Sequence, residues 1–323
     1  MIECSVIIPT CRRPALLERC LGALAHQSLA ADRYEIIVAD DAAEERTARR
    51  VAEWRELELP VCYCPVDGPH HGPAAARNAG CREARGWLLA FTDDDTVPND
   101  DWLLRAFGAF LARPDLDAAH GRVIVPLPAD PTDYERDAAG LEDAGFVAAN
   151  CFIRRDTLET LGGFDESFTD AWREDSDLYF RLLATGRRVE RVVDAVVVHP
   201  VRPAPWGISV RQQRKTAFDA LLYKKHPTLF ARFIRPGRPM LYYPTVLALA
   251  ATVAGAASGA ADIALGAGAA WAALTGAFVA RRLRHTSRAP RHIAEMVLTS
   301  AVIPPLSLFW RARGALRHRV FFW

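Results

Sequence analysis

Four short runs of apolar and β-branched residues, 4 to 8 (CSVII), 35 to 39 (EIIVA), 61 to 64 (VCYC) and 87 to 92 (WLLAFT), each stop abruptly at polar, Pro or Gly residues. Runs of that length, so bounded, read as strands buried on both faces. Between the first three the spacing is helical. Leu16, Leu17, Leu21 and Leu24 recur every three or four residues behind Pro14, and Val51, Trp54 and Leu57 do so behind Glu44 and Glu45. A strand-helix-strand order makes neighbouring strands parallel, because each helix carries the chain back to the same end of the sheet. The expectation is therefore an α/β fold, a doubly wound, mostly parallel sheet covered on both faces, with ligands beyond the carboxyl ends of the strands.

Further along, 126 to 145 is rich in Pro, Asp and Gly and reads as a loop over the site. An apolar stretch (146 to 153), a helix from about Asp175 to Ala184, a β-branched run (192 to 198) and a helix from about Ile208 to Tyr223 follow. The character changes after residue 230, where 12 Arg face only Asp262 and Glu295, against 28 basic and 37 acidic residues before it. Within that basic tail, 241 to 260 and 263 to 280 carry no charge over 20 and 18 residues, enough to cross a bilayer with little to spare. Arg232, Arg235 and Arg238 precede the pair, and Arg281, Arg282, Arg284, Arg288 and Arg291 follow it. Basic flanks on both sides of a hairpin place both its ends, and the domain before it, in the cytoplasm. Gly255 and Gly259 have the spacing that lets two helices approach closely. A third apolar stretch, 293 to 310, is followed by Arg311, Arg313, Arg317 and Arg319, which crossing would carry outside, so an interfacial or re-entrant segment is expected there. The domains so read are a catalytic domain 1–215, an amphipathic basic linker 216–240, a two-helix hairpin 241–280 and an interfacial tail 281–323. The seven cysteines show no paired spacing and are odd in number, and the N-terminus has no basic leader, which points to reduced thiols and no signal peptide.

The candidate chemistry sits at the strand ends. Asp93, Asp94 and Asp95 follow the fourth run, and three adjacent carboxylates repel unless a positive charge meets them. A D-x-D spacing offers hard oxygen ligands to Mg²⁺ or Mn²⁺. The same letters fit haloacid-dehalogenase-like phosphatases, in which Asp93 would be the nucleophile and Asp95 the general acid; the simplest competitor is an acidic helix cap. Pro9 and Thr10 close the first strand, and Asp40 and Asp41 the second. Arg77 and Asn78 lie in "GPAAARNAG", a helix start with small residues. Glu174 and Asp175 open the later helix, where exposed N–H groups favour negative charge, and 175, 178, 179 and 182 share one face of it.

Four such motifs in this order resemble the family 2 glycosyltransferases, whose GT-A fold is a nucleotide-sugar-binding α/β domain with a D-x-D metal site. The resemblance runs from about Ser5 to His199. It implies that Pro9, Thr10, Asp40, Asp41, Arg77, Asn78, Asp93 and Asp94 bind the nucleotide sugar and that Asp95, with Asp93 and His199, holds Mn²⁺ or Mg²⁺. A run of three aspartates can be registered in two ways, so which takes which part stays open. The stretch "ANCFIRRDTLETLGGFDESF" (149 to 168) is similar to the family's acceptor-side motif, and the Gly162-Gly163 pair permits a tight turn. By resemblance Asp175, beside Glu174, is the general base of an inverting transfer. Processive members carry Gln-x-x-Arg-Trp, whereas "VRQQRKTAF" has no Trp, so one sugar per encounter is expected. The implied partners are a nucleoside-diphosphate sugar, a lipid-linked or saccharide acceptor and the inner membrane, with no nucleic acid; an inactive binding module of the same fold is the remaining alternative. His70 and His71 match no element of the family and read as loop residues.

Overall fold

A computed structural model describes residues 1–69, 71–234 and 240–321. His70, Arg235 and Arg238 thus fall outside the described residues. Eight strands form one sheet: β1 (Cys4–Thr10), β2 (Tyr34–Asp40), β3 (Val61–Pro65), β4 (Leu88–Thr92), β5 (Val97–Pro98), β6 (Ala118–Ile124), β7 (Asn150–Arg154) and β8 (Val189–Val198), in the order β3-β2-β1-β4-β7-β6-β8-β5. The first four neighbours are parallel, as the alternation requires. β7 then runs antiparallel to both β4 and β6, which makes the sheet mixed. β6 escaped the sequence reading because "AAHGRVI" lacks a continuous apolar run; its Gly121 leaves no room for a Cβ, which would meet the Ala195 carbonyl and the Asn150 amide.

The helices around this sheet are α1 (Pro14–Leu24), α2 (Glu45–Glu56), α3 (Pro73–Glu83), α4 (Trp102–Ala112), α6 (Arg155–Thr160) and α7 (Glu174–Ala184), while the short α5 (Asp133–Ala138) belongs to a second unit. Alternate residues of the strands serve opposite faces. Val6, Ile8, Ile36 and Val38 pack on α1 and on Trp102, Phe107 and Phe110 of α4. Ile7, Ile37 and Ala39 pack on the alanines of α3 and on Leu178 and Leu182 of α7. Because β1, β2 and β4 are covered on both sides, their sequences are almost wholly apolar. From β1 the chain winds outward to β2 and β3, then returns to β4 on the other side of β1. That reversal opens a crevice beyond the carboxyl ends of β1 and β4, where Thr10 and the three aspartates stand.

The chain divides into two compact units, Met1–Pro126 with Ala139–Val201, and Leu127–Ala138 with Arg202–Trp323. The second unit is helical: α5, α8 (Ile208–Gln212), α9 (Ala217–Lys225), α10 (Pro227–Phe233), α11 (Tyr242–Ser258), α12 (Ala261–Arg282) and α13 (Pro290–His318). The helix expected over 208 to 223 is thus broken into α8, one tighter turn and α9. α11 and α12 pair as a hairpin. Gly255 lets them touch, since a Cβ there would lie 2.8 Å from the Ala264 nitrogen, whereas Gly259 ends α11 with a left-handed φ of 74°. The two glycines therefore do different jobs. α12 and α13 are each long and apolar enough to cross a membrane by length and composition. At 17 residues α11 reaches about 25 Å.

Candidate active site

The aspartate turn is set by threonines. Thr92 and Thr96 hydroxyls lie 2.7 Å apart, and Thr96 also donates to the Asp93 carbonyl at 2.7 Å. This tight turn sends successive carboxylates in different directions. Asp94 points back into the fold, where the Thr10 hydroxyl donates to it at 2.7 Å and Arg13 lies 3.3 Å away. Burial raises its carboxyl to about 6, with Arg13 and Thr10 opposing the rise. Asp93 and Asp95 face the other way, where with His199 they each offer a ligand atom within 4.8 Å of the others. His199 Nε2 lies 3.5 Å from Asp95, at the end of β8. Two carboxylate oxygens and one imidazole nitrogen suit a divalent cation such as Mn²⁺ or Mg²⁺. Burial acts to raise the Asp93 carboxyl, but Arg77 and His199 hold it below the usual carboxylate range, so it is ionised and ready to ligate.

Arg77 is the hub of the site. Projecting from α3 and only 2% exposed, it donates from Nη2 to Asp93 at 2.8 Å and from Nη1 to Glu174 at 3.1 Å, with its guanidinium 5.4 Å from the Phe164 ring centre. A planar fork can hold two carboxylates from opposite sides of a crevice, which a lysine cannot do. Glu174 is raised to about 7 by burial and by Asp175 beside it, against the pull of Arg77. Asp175 is also raised, chiefly by burial; one of its oxygens accepts the Ser176 N–H at 2.6 Å. The helix they open is reached through Arg173, whose φ of 77° is left-handed. A non-glycine residue held there is a sign of a conformation fixed by its surroundings. Asp177 pairs with Arg181 at 2.8 Å on another face.

The remaining candidates divide. Asp40 is wholly buried with both oxygens engaged, by the N–H groups of Ala42 (3.0 Å) and Glu44 (2.8 Å) and the Tyr63 hydroxyl (3.1 Å), and it shapes the turn into α2. Asp41 faces the crevice and accepts the Gly72 N–H at 2.9 Å and His71 Nδ1 at 3.2 Å. Asn78 turns toward the acceptor-side motif: its amide donates to the Phe164 carbonyl (2.9 Å) and Glu166 (2.8 Å) and accepts the Phe164 N–H (2.8 Å). Gly163, at φ 77°, makes that turn possible. Pro9 is buried within β1.

Two family models match the chain. One, "Glycosyl transferase family 2", covers residues 5–165, and the other, "Glycosyl transferase family group 2", covers residues 88–311, well over half of the chain. The chain belongs to the family 2 glycosyltransferases. Among curated relatives of this transferase, a glycosyltransferase AglE of Haloferax volcanii is 26% identical over 62% of the chain and 67% of its own length. A validoxylamine A glucosyltransferase of Streptomyces hygroscopicus is 26% identical over 70% of the chain, and a succinoglycan biosynthesis protein ExoM of Rhizobium meliloti is 30% identical over 59%. The chain spans 61% and 65% of those two relatives' lengths. The mannosyltransferase PcManGT of Pyrobaculum calidifontis, solved with GDP-Man and Mn²⁺, superposes with a TM-score of 0.62 at 24% identity, over 94% of this chain and 87% of that one. TarS of S. aureus, solved as residues 1–349 with UDP, does so at 0.52 and 17%, over 100% and 93%. These likenesses establish the GT-A fold.

Family membership removes the phosphatase reading of Asp93 and Asp95. Two side chains of the transferase's site were passed over in the sequence. Arg13 stands in "TCRRP" just past β1, a strand-end position that could have marked it as a partner for the aspartates. His71 had no local signal, because only the close approach of the α3 entry to the end of β2 brings it to Asp41.

Proposed function

We propose that the protein is an inverting glycosyltransferase that moves one sugar from a nucleoside-diphosphate donor to a lipid-linked or other envelope acceptor, with Asp175 as general base. The observation that carries this reading is the Arg77 bridge, because a single buried guanidinium holds both a metal-side carboxylate, Asp93, and Glu174, the neighbour of the base. Asp93, Asp95 and His199 would hold Mn²⁺ or Mg²⁺, which when bound supplies positive charge to the donor's diphosphate. The Mn²⁺ in the PcManGT complex supports that choice. Asp41 and His71 would face the nucleoside, while Asp40 and Asn78 would act by holding the turns around it.

In the reaction, Asp175 accepts the proton of the acceptor hydroxyl as that oxygen bonds to the anomeric carbon. The bond from that carbon to the diphosphate oxygen breaks, and nucleoside diphosphate leaves with the bonding pair. One displacement from the opposite face inverts the configuration. A raised carboxyl suits this task, since a base with a pKa nearer the working pH takes a proton more readily in the transition state. Arg77 holds Glu174 in place beside Asp175, whose own carboxyl is raised by burial.

The catalytic domain 1–215, the linker 216–240, the hairpin 241–280 and the tail 281–323 remain our reading of the chain's organisation. In it α11 and α12 anchor the protein in the inner membrane with both ends on the cytoplasmic side, supported by the charge-free stretches 241–260 and 263–280 and the arginines that flank them. The test incubates the membrane-bound protein with UDP-, GDP- and TDP-sugars and Mn²⁺ or Mg²⁺, following nucleoside diphosphate release. Metal-dependent release that stops in Asp175→Asn supports the reading; release unchanged in that variant removes Asp175 as the base, and no release with any donor returns the protein to a binding module.

A further inference from the structure

α13 is 29 residues long and passes the length and composition test for a membrane span, yet it is pinned to polar groups along its length. Glu295, in its second turn, accepts the Gly207 N–H at 2.7 Å. Thr299 and Ser300 accept from Nη1 of Arg282 at 2.6 and 3.1 Å, and that buried guanidinium also donates to Asp133 at 2.7 Å and to Ser209 at 3.1 Å. Arg311 lies 2.9 Å from the buried Asp219 of α9. One turn on, Gly314 abuts the Ala217 carbonyl so closely that a Cβ has no room. Arg282 itself ends α12, so the middle of α13 sits at the basic end of the hairpin and not along its apolar length.

The longest stretch between these pins, from Ser300 to Arg311, spans about 16 Å at 1.5 Å per residue, half of the roughly 30 Å of hydrocarbon a span must cross. Apart from the close approach at Gly314, each pin is a hydrogen-bonded or ionic group that hydrocarbon would not solvate. The face turned away from Ser300, Arg311 and Gly314 is apolar and uncovered: Leu298 (58% exposed), Val302 (47%), Phe309 (55%) and Leu316 (80%). At 100° per residue these four fall within about 40° of one another. Arg313 and Arg317, both exposed, lie beside that stripe.

We propose that α13 lies in the plane of the membrane on the cytoplasmic surface, with the Leu298–Val302–Phe309–Leu316 stripe set among the acyl chains of anionic phospholipids and Arg313 and Arg317 on their phosphates. The occupant is chosen by charge, because the chain beyond residue 230 carries 12 arginines against two acidic residues. The proposal rests on the membrane-anchored reading above. It turns a helix that satisfies the arithmetic of a span into a surface float that holds α8, α9 and the 127–138 segment at the headgroup level.

The experiment places a nitroxide-bearing unnatural amino acid at 298, 302, 309 or 316 of the full chain, reconstituted in vesicles of phosphatidylcholine with a third phosphatidylglycerol. Immersion depth is read from oxygen and nickel-chelate collision rates. The expected result is one shallow depth for all four labels, with high oxygen accessibility. A depth that changes steadily by about 27 Å from 298 to 316, at 1.5 Å per residue, makes α13 a span and overturns the proposal. Labels sheltered from both oxygen and nickel assign the stripe to a second copy of the chain or another protein, and also overturn it. If the protein fails to float with the vesicles at all, the anchored reading falls with it, a result distinct from the other two.

Discussion

In the sheet unit Asp94, Asp95, Arg77 and Glu174 are almost inaccessible, whereas in the helical unit Leu247, Val253, Ile263 and Leu265 are more than half exposed. Each is the reverse of what water alone favours, and the reasons differ. The buried charges answer one another: Arg77 stands between Asp93 and Glu174, Thr10 and Arg13 meet Asp94, and His199 meets Asp95. Such an arrangement is costly to desolvate and survives where geometry and charge are matched. The exposed apolar side chains have no such partners; in the membrane-anchored reading proposed above they face lipid. Arg282 shows that the helical unit keeps the first rule where it can, since its fork is spent on Asp133, Ser209, Thr299 and Ser300.

The contrast can be broken first at Asp175, the base proposed above. Asp175→Asn is expected to lower kcat by about 10²- to 10⁴-fold while leaving donor binding, read by calorimetry, unchanged. Equal loss of binding would mean that Asp175 serves the donor site. Next comes the hub, where Arg77→Met leaves Asp93 and Glu174 buried against each other without their cation. A loss of about 3–5 kcal/mol is expected by denaturant unfolding, with little recovery in Arg77→Lys; a Lys variant as stable as the wild type would show that a point charge suffices.

Asp94 gives a smaller, pH-dependent effect. Its folded carboxyl is raised above the usual value to about 6, so its contribution to stability is fully present below the unfolded pKa near 4 and is lost as pH rises through 6. Converted by linkage, that is on the order of 2 to 3 kcal/mol between pH 4 and 7. Asp94→Asn should flatten the stability profile over this window, and an unchanged profile would locate the titration elsewhere. The raised Glu174 and Asp175 predict, separately, an acid limb in the kcat profile displaced upward from the usual carboxylate range. The smallest effect belongs to the helical unit: Leu265→Ser should change stability in detergent by less than about 0.5 kcal/mol, because the side chain contacts little protein, while weakening vesicle flotation. A large loss in detergent would mean that Leu265 is covered by protein.

Much of this was legible because the relevant physics is local. The buried strands β1, β2 and β4 and the half-buried edge strand β3 appear as apolar runs, α1 and α2 as leucine and valine periodicity, and the aspartate triplet as charge placed at a strand end. What was not legible depends on residues far apart in the chain. β6 is short of apolar residues because Asn150, from β7, fills the space its neighbours would have used, donating to the Arg122 and Ala195 carbonyls at 3.0 Å each. α13 passes for a span by length and composition; the arginines after residue 310 already argue for an interfacial segment, and its contacts with Arg282, Asp219 and Gly207 add what the sequence does not show.

Periodicity and composition are properties of neighbouring residues, and they carry the α/β order, the strand ends at which charge collects and the change of character after residue 230. Tertiary structure decided how the charges are shared. It turned Asp94 inward to Thr10 and Arg13, and brought Asp93 and Asp95 to His199. It also set Asp40 and Asn78 to holding turns and joined Asp93 to Glu174 through Arg77. Nothing in a run of three aspartates fixes the direction of each carboxylate. That follows from a turn clamped by Thr92 and Thr96 and from cations supplied by helices and strands tens of residues away.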